Sequence, residues 1–196
     1  MAEPGTAVVL SRARIHAAVE RLAGEVLEWH AALGGRTLEL VCVLEGARRL
    51  ADDLMHALRA RYDGLRIRSH GIKLASTAGR SLAEDCVCVE GELRADLLRG
   101  RPALIVDDLV DSGRSLQTVR EMAASCSPAD VKTLALIRKY ADAAFRPDFV
   151  GVELGLDRAR MRAEGIEDYW LFGYGLDLDG DRRDLDDIGW IERRAR

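Results

Sequence analysis

The stretch Leu104-Ile-Val-Asp-Asp-Leu-Val-Asp-Ser-Gly-Arg-Ser-Leu116 decides how the rest of the chain is read. An apolar strand, Leu104-Ile-Val106, runs directly into two acids, Asp107 and Asp108. Two apolar residues follow, then Asp111-Ser112-Gly113-Arg114-Ser115, and then a helix carrying Leu116, Val119, Met122 and Ala123. This order puts a tight loop at the carboxyl end of a strand and at the N-terminus of a helix, which is where open parallel sheets bind ligands. Loop and first-turn N–H groups there can hold a phosphate. Gly113 permits a conformation or close approach that a Cβ would forbid, and Ser112 and Ser115 supply hydroxyl donors. Two acids after a strand, a third three residues on, and then Ser-Gly-Arg-Ser exceed what helix capping requires.

Upstream, Ile15, Ala18, Val19, Leu22, Val26 and Trp29 recur at helical spacing from Ser11, an N-cap, and Gly34-Gly35 ends that helix. Leu38 to Leu44 is a short apolar run consistent with a buried strand. A second helix is expected over Arg48 to Arg61, a strand over Leu65 to Arg68 and another over Cys86 to Val89, with Cys86 and Cys88 on one face. Residues 74–84 lack periodicity and read as a loop of the kind that often serves as a lid. Downstream, Val131 to Ile137 and Phe149 to Val152 are strands. Strands alternating with helices predict an α/β fold, a mainly parallel twisted sheet with helices on both faces. The part from about Gly155 is richer in Asp and Arg and predicts a small subdomain above the sheet.

The chain has 196 residues, 48% hydrophobic and 32% charged, enough for one core with a solvated surface. A net charge of −4 with interspersed signs lacks the basic excess of a nucleic-acid binder. The four cysteines, Cys42, Cys86, Cys88 and Cys126, fit no zinc spacing and read as free thiols in a reducing compartment. Met-Ala-Glu-Pro-Gly at the start has no apolar segment, and no window approaches a membrane span. A cytoplasmic protein is expected. His16, His30 and His56 read as surface residues of helices.

The 104–116 stretch resembles the 5-phosphoribosyl-1-pyrophosphate motif of type I phosphoribosyltransferases: apolar strand, two acids, two apolar residues, Asp-Ser/Thr-Gly, Ser/Thr. Within that superfamily the chain is most similar to the hypoxanthine-guanine, or 6-oxopurine, phosphoribosyltransferases, from about Leu38 to Ile191. The resemblance implies that Asp107 and Asp108 contact ribose hydroxyls and metal, and that Asp111, Ser112, Gly113, Arg114 and Ser115 wrap the 5′-phosphate. It puts Asp111 near N7 of the purine as general base or acid. Val43-Leu-Glu-Gly-Ala47 resembles the family's pyrophosphate loop, usually Leu-Lys-Gly-Gly, which carries a non-proline cis peptide. Glu45 and Gly46 would then face pyrophosphate, with Arg48 or Arg49 contributing charge. Trp170-Leu-Phe-Gly-Tyr-Gly-Leu-Asp177 with Arg183-Asp184-Leu185 resembles the family's tail. By that likeness Trp170 stacks on the base, Leu171 offers backbone groups, Asp177 reaches Mg²⁺ and Arg183 approaches pyrophosphate, while Phe172 is core. After the strand ending at Ile137, Lys139, or Arg138 by a one-residue slide, would donate to the 6-oxygen.

One domain over 1–196 is implied, with a hood formed mainly by about 155–196 together with the N-terminal segment. So are the partners phosphoribosyl pyrophosphate and a purine base or nucleotide, the cofactor Mg²⁺, no nucleic acid or membrane, and a homodimer or homotetramer. The expected reaction gives IMP or GMP and pyrophosphate in purine salvage, with xanthine a further acceptor. The sequence departs from the family at Glu45, at Ala47 and in residues 74–84, which lack the family's Ser-Tyr pair; Ser76-Thr77 or Ser69-His70 could stand in. An insertion around Asp157 to Glu167 reads as a solvated charged helix, or as part of a changed base pocket. These departures leave open a transferase for another base, such as a pyrimidine, and a nucleotide-binding regulator that lost turnover.

Overall fold

The computed structural model describes residues 6–76, 87–90, 93–178 and 180–194. In chain order the elements are β1 (Thr6–Leu10), α1 (Arg12–Ala32), β2 (Thr37–Leu44), α2 (Arg48–Arg61), β3 (Arg66–Ser76), β4 (Val87–Glu90), α3 (Ala95–Leu98) and β5 (Pro102–Val110). They continue as α4 (Arg114–Ser125), β6 (Asp130–Tyr140), β7 (Phe149–Leu156), α5 (Arg158–Ala163), β8 (Ile166–Phe172) and β9 (Ile188–Arg194). The main sheet runs β4-β3-β2-β5-β6-β7. Every neighbouring pair in it is parallel except the edge pair β3–β4.

Strand alternation builds the two sides of this sheet. Leu38, Leu40 and Cys42 of β2 join α1 and α2 in one core, while Val41 and Val43 join α4 residues Leu116, Val119 and Ala123 in the other. Helices therefore cover both faces, the doubly wound arrangement expected from the alternation of elements. Ser11 caps α1, its Oγ accepting from Arg14 N at 3.4 Å. Helix α2 has the bounds that periodicity predicts, with Leu50, Leu54, Ala57 and Leu58 buried.

Several expectations need correction. A strand, β1, precedes the first helix; it pairs antiparallel with β9, which pairs with β8 to complete a separate three-stranded sheet. Strand β3 runs well past Arg68 and absorbs residues 74–76 of the expected loop. The remainder of that loop, with Thr77, and Cys86 of the next expected strand lie outside the described residues. Ser69 and His70 sit inside β3, and His70 Nε2 is 2.7 Å from Glu39 Oε2, so this pair belongs to the sheet and not to a lid. Glu39 is completely buried and is also reached by Arg101 at 3.2 Å. His30 is buried, its Nε2 3.2 Å from the Thr37 carbonyl, because α1 ends against β2; it is not the surface residue that helical context suggested. Among the described residues, no helix is long and apolar enough to cross a membrane.

Candidate active site

Three loops meet at the carboxyl edge of the parallel strands. The first follows β2, and there the Leu44–Glu45 peptide is cis. Gly46 comes next, and its Cα lies so close to β5 that an added Cβ would fall 1.8 Å from Asp108 Oδ2. On its other side, a Cβ on Gly175, which has φ +100°, would meet the Gly46 carbonyl at 2.4 Å. Arg183 donates to the Gly175 carbonyl and to Asp177 Oδ1, both at 2.8 Å. Gly46, Asp108, Gly175, Asp177 and Arg183 thus form one packed group, although they come from three separate parts of the sequence. Glu45 is exposed at its rim. Arg49 does not supply charge here. It is committed to the Leu185 carbonyl at 2.9 Å, to Asp186, and to the ring face of Tyr174. Arg48 instead lines a cavity of about 370 Å³ with Leu44, Asp52 and Ser69.

The second loop follows β5. Asp107 and Asp108 are not beyond the strand, as their order suggested, but within it, because β5 stays hydrogen-bonded to β6 as far as Val110. Asp107 is buried and its Oδ1 accepts from Asp108 N at 3.0 Å. Burial, then the neighbouring Asp108, holds the Asp107 carboxyl well above the usual carboxylate range. Burial also raises Asp108, and the hydrogen bond with Asp107 and the positive charge of Arg183 oppose that rise. The same burial, with both acids nearby, pushes the Cys42 thiol up to about 12 and leaves it inert. Gly113 caps α4 in the left-handed region, φ +85°, and at the helix start Arg114 N donates to Ser112 Oγ at 3.4 Å. The first-turn N–H groups of α4 have no intrahelical acceptors. A Cβ at Gly113 would fall 2.4 Å from Cβ of Phe145, which fixes this loop against the third.

The third loop follows β6, and Arg138 and Lys139 lie inside that strand rather than after it. Alternation sends them to opposite faces. Arg138 pairs with Glu153 at 2.9 Å and with the carbonyls of Ala141 and Ala143, away from the site. Lys139 is buried, with Nζ 3.3 Å from Asp111 Oδ2 and 2.6 Å from Asp168 Oδ1. Tyr140 also donates to Asp168. Burial works against ionisation of Asp168, but hydrogen bonds from Lys139 and Tyr140 outweigh it and hold the carboxyl below its ordinary value. Burial and the bond to Asp168 push the Tyr140 hydroxyl up.

Strand β8 supplies the roof. Asp168 and Trp170 are two residues apart on a regular stretch, Asp168 opposite Arg193 and Trp170 opposite Ile191, so both face the same way. Trp170 is 38% exposed, with the Arg193 guanidinium 4.5 Å from its ring centre. Leu171 and Phe172 are buried. A further group that the sequence did not reveal comes from α5. Arg158 donates to Asp111 Oδ1 at 3.0 Å and also pairs with Asp142. Arg160 on the same helix faces solvent and pairs with Glu164, so the insertion is solvated along one side only. A separate cavity of about 620 Å³ lies between α1 and α2 beside Tyr174. It shares no residue with these loops, and its Asp53 and Arg49 are already bonded to Tyr174 and Asp186.

A family model described as a phosphoribosyl transferase domain matches residues 9–154. The hypoxanthine-guanine phosphoribosyltransferase of Rattus norvegicus is 28% identical over 183 residues, covering 90% of this chain and 77% of the relative. That of Canis lupus familiaris is 29% identical over 183 residues, with the same coverage of 90% and 77%. Among solved structures, a hypoxanthine phosphoribosyltransferase from Trypanosoma cruzi in complex with the product IMP superposes with a TM-score of 0.78 at 23% identity, covering 98% of this chain and 97% of the other. A Lys-to-Arg variant of the T. cruzi enzyme in a ternary substrates complex gives 0.78 at 25% identity, covering 95% and 94%.

Proposed function

The chain belongs to the phosphoribosyl transferase domain family, and on that premise we propose that it transfers the 5-phosphoribosyl group of phosphoribosyl pyrophosphate to a 6-oxopurine. The products are IMP or GMP and pyrophosphate. One observation carries the choice of base: Asp111 Oδ2 and Lys139 Nζ lie 3.3 Å apart. N7 and the 6-oxygen are adjacent acceptors on one edge of a 6-oxopurine. A carboxylate able to exchange a proton at N7 and an ammonium able to donate to O6 meet that edge together. Adenine offers an amino group where Lys139 needs an acceptor. The names of the relatives support the same choice.

In this reading the base lies between Trp170 and the Asp111–Lys139 pair, with the β1-β9-β8 sheet as a hood and Leu171 giving backbone contacts. The open N-terminus of α4, with Ser112 to Ser115, holds the 5′-phosphate. Asp107 and Asp108 hold the ribose hydroxyls, and the Gly46–Arg183 group holds pyrophosphate. Asp111 takes or returns the ring proton as the C–N bond forms, a role worth roughly 10²–10⁴ in rate.

The donor set suits Mg²⁺. Among the described residues no cluster of three or more His, Cys, Asp or Glu gathers at one point. Mg²⁺ needs no such cage, because it takes one or two carboxylates and completes its shell with substrate phosphate and water. Two adjacent acids whose burial disfavours ionisation are such a pair, with Asp177 near Arg183 as a further oxygen donor. Bound there, Mg²⁺ neutralises charge on the leaving pyrophosphate. A cytoplasmic homodimer or homotetramer completes the proposal, and light scattering of the purified protein tests the assembly.

The test of function is a panel of bases supplied with phosphoribosyl pyrophosphate and Mg²⁺. Turnover of hypoxanthine or guanine is expected; turnover of uracil or adenine without either overturns the assignment. A second reading, binding without turnover, rests on Glu45, which sets a carboxylate where pyrophosphate would lie. Binding of GMP with no product from any base would favour it.

A further inference from the structure

Resting on that assignment, we infer that Arg158, from the insertion between β7 and β8, is a positioning residue that fixes Asp111 for proton transfer.

The carboxylate of Asp111 is shared between two cations. Oδ2 faces Lys139 at 3.3 Å and Oδ1 faces Arg158 at 3.0 Å. With one oxygen held by each, the plane of the carboxylate is set. Lys139 is in turn held by Asp168 at 2.6 Å, a tighter contact than the one it makes with Asp111. Arg158 therefore draws Asp111 outward, while Asp168 draws Lys139 inward. The two groups touch at 3.3 Å, but each is also tied to a second partner, which sets their geometry toward the two purine atoms.

Arg158 is itself built in. Its guanidinium lies 3.6 Å from the centre of the Tyr140 ring and also pairs with Asp142. The helix that carries it is capped by Asp157, whose Oδ1 accepts from Ala159 N at 2.8 Å and from Arg160 N at 3.2 Å. Met161, one turn on, is buried in the core beneath. Tyr140 takes part twice, presenting its ring to Arg158 and its hydroxyl to Asp168. A guanidinium remains charged at every working pH and spans two carboxylates with fixed geometry, which an ammonium cannot do equally well.

Steady-state kinetics of Arg158→Gln, Arg158→Lys, Asp111→Asn and the double variant Arg158→Gln/Asp111→Asn test this, with hypoxanthine or guanine as acceptor and circular dichroism to verify the fold. Arg158→Gln is expected to lower kcat about 10-fold or more while KM for phosphoribosyl pyrophosphate stays within about 2-fold, since the loss is confined to the transition state. Arg158→Lys should recover part of the loss. Adding Arg158→Gln to Asp111→Asn should cost nothing further, because residues acting through one another are not additive. An Arg158→Gln enzyme within 2-fold of wild type, or an undiminished loss in the Asp111→Asn background, overturns the inference while leaving the transferase assignment intact. If Arg158→Gln does not fold, the Lys variant decides: equal loss of kcat and of phosphoribosyl pyrophosphate affinity there overturns it. A wild type that turns over neither base fails the assignment itself, and the inference with it.

Discussion

The backbone of Gly46 rests directly on the carboxylate of Asp108, with no room between them for a methyl group. Loop and strand are thereby held at a separation that only glycine allows. Gly46→Ala forces either the loop or the acid to move. We expect KM for phosphoribosyl pyrophosphate to rise about 10-fold and stability to fall by about 1–3 kcal/mol, the usual cost of overpacking. Kinetics and urea titration check both. An alanine enzyme with unchanged KM would show that the contact has no part in binding.

Asp111→Asn keeps the shape of the side chain but cannot take a proton. Turnover should fall by about 10²–10⁴, while GMP affinity, measured by calorimetry, changes only a few-fold. A kcat near wild type would remove Asp111 from the role of base.

Glu39 is a third kind of case, a buried carboxylate far from the chemistry. It faces His70 at 2.7 Å and Arg101 at 3.2 Å from a fully buried position. Glu39→Gln removes the charge that Arg101 faces, but Arg101 is partly exposed and keeps its bond to the Leu97 carbonyl at 2.6 Å, so the loss is that of a charge-assisted hydrogen bond, about 1.5–3 kcal/mol. Chemical denaturation should report a loss of that size. A loss below about 1 kcal/mol would mean that water reaches the cluster.

Acid stability should depend on Asp148. Burial would raise its carboxyl, but bonds from Lys132 at 2.9 Å, Thr133 N at 2.9 Å and Thr133 Oγ1 at 2.8 Å outweigh it, so the group lies below its ordinary value of 3.8. A depressed folded-state pKa stabilises the protein above the unfolded value, and that contribution is lost as pH falls through the folded value. Asp148→Asn should therefore lower Tm at pH 7 and narrow the gap to wild type as pH falls below about 4. A gap that widens on acidification would contradict the sign.

Much of the fold was legible because hydrophobic spacing reports burial. Helix α2 and the buried run of β2 follow directly from it. The failures have physical causes. Strand β1 is five residues long and packs on another sheet from the far end of the chain, so its local pattern carries little signal. Charged residues concealed the true ends of β5 and β6. Asp107, Arg138 and Lys139 continue their strands because specific partners satisfy them, which period and polarity do not encode. For the candidate site, the 104–116 motif pointed to the turn before α4 and to Asp111. Sequence also left Lys139 and Arg138 as alternatives, and strand alternation sends them to opposite faces. Arg158 was hidden because its link to Asp111 exists only once α5 has come against the loop after β5.

The pairing of Thr6 with Ile191 has a temporal consequence. Strand β9 is the middle strand of its sheet, between β1 and β8, yet it is made after every other element described here. On the ribosome, β1 and the strand carrying Trp170 must wait unpaired until β9 emerges. The parallel sheet with the turn before α4 can form earlier, so the small sheet that carries Trp170 is the last part of the protein to come into existence.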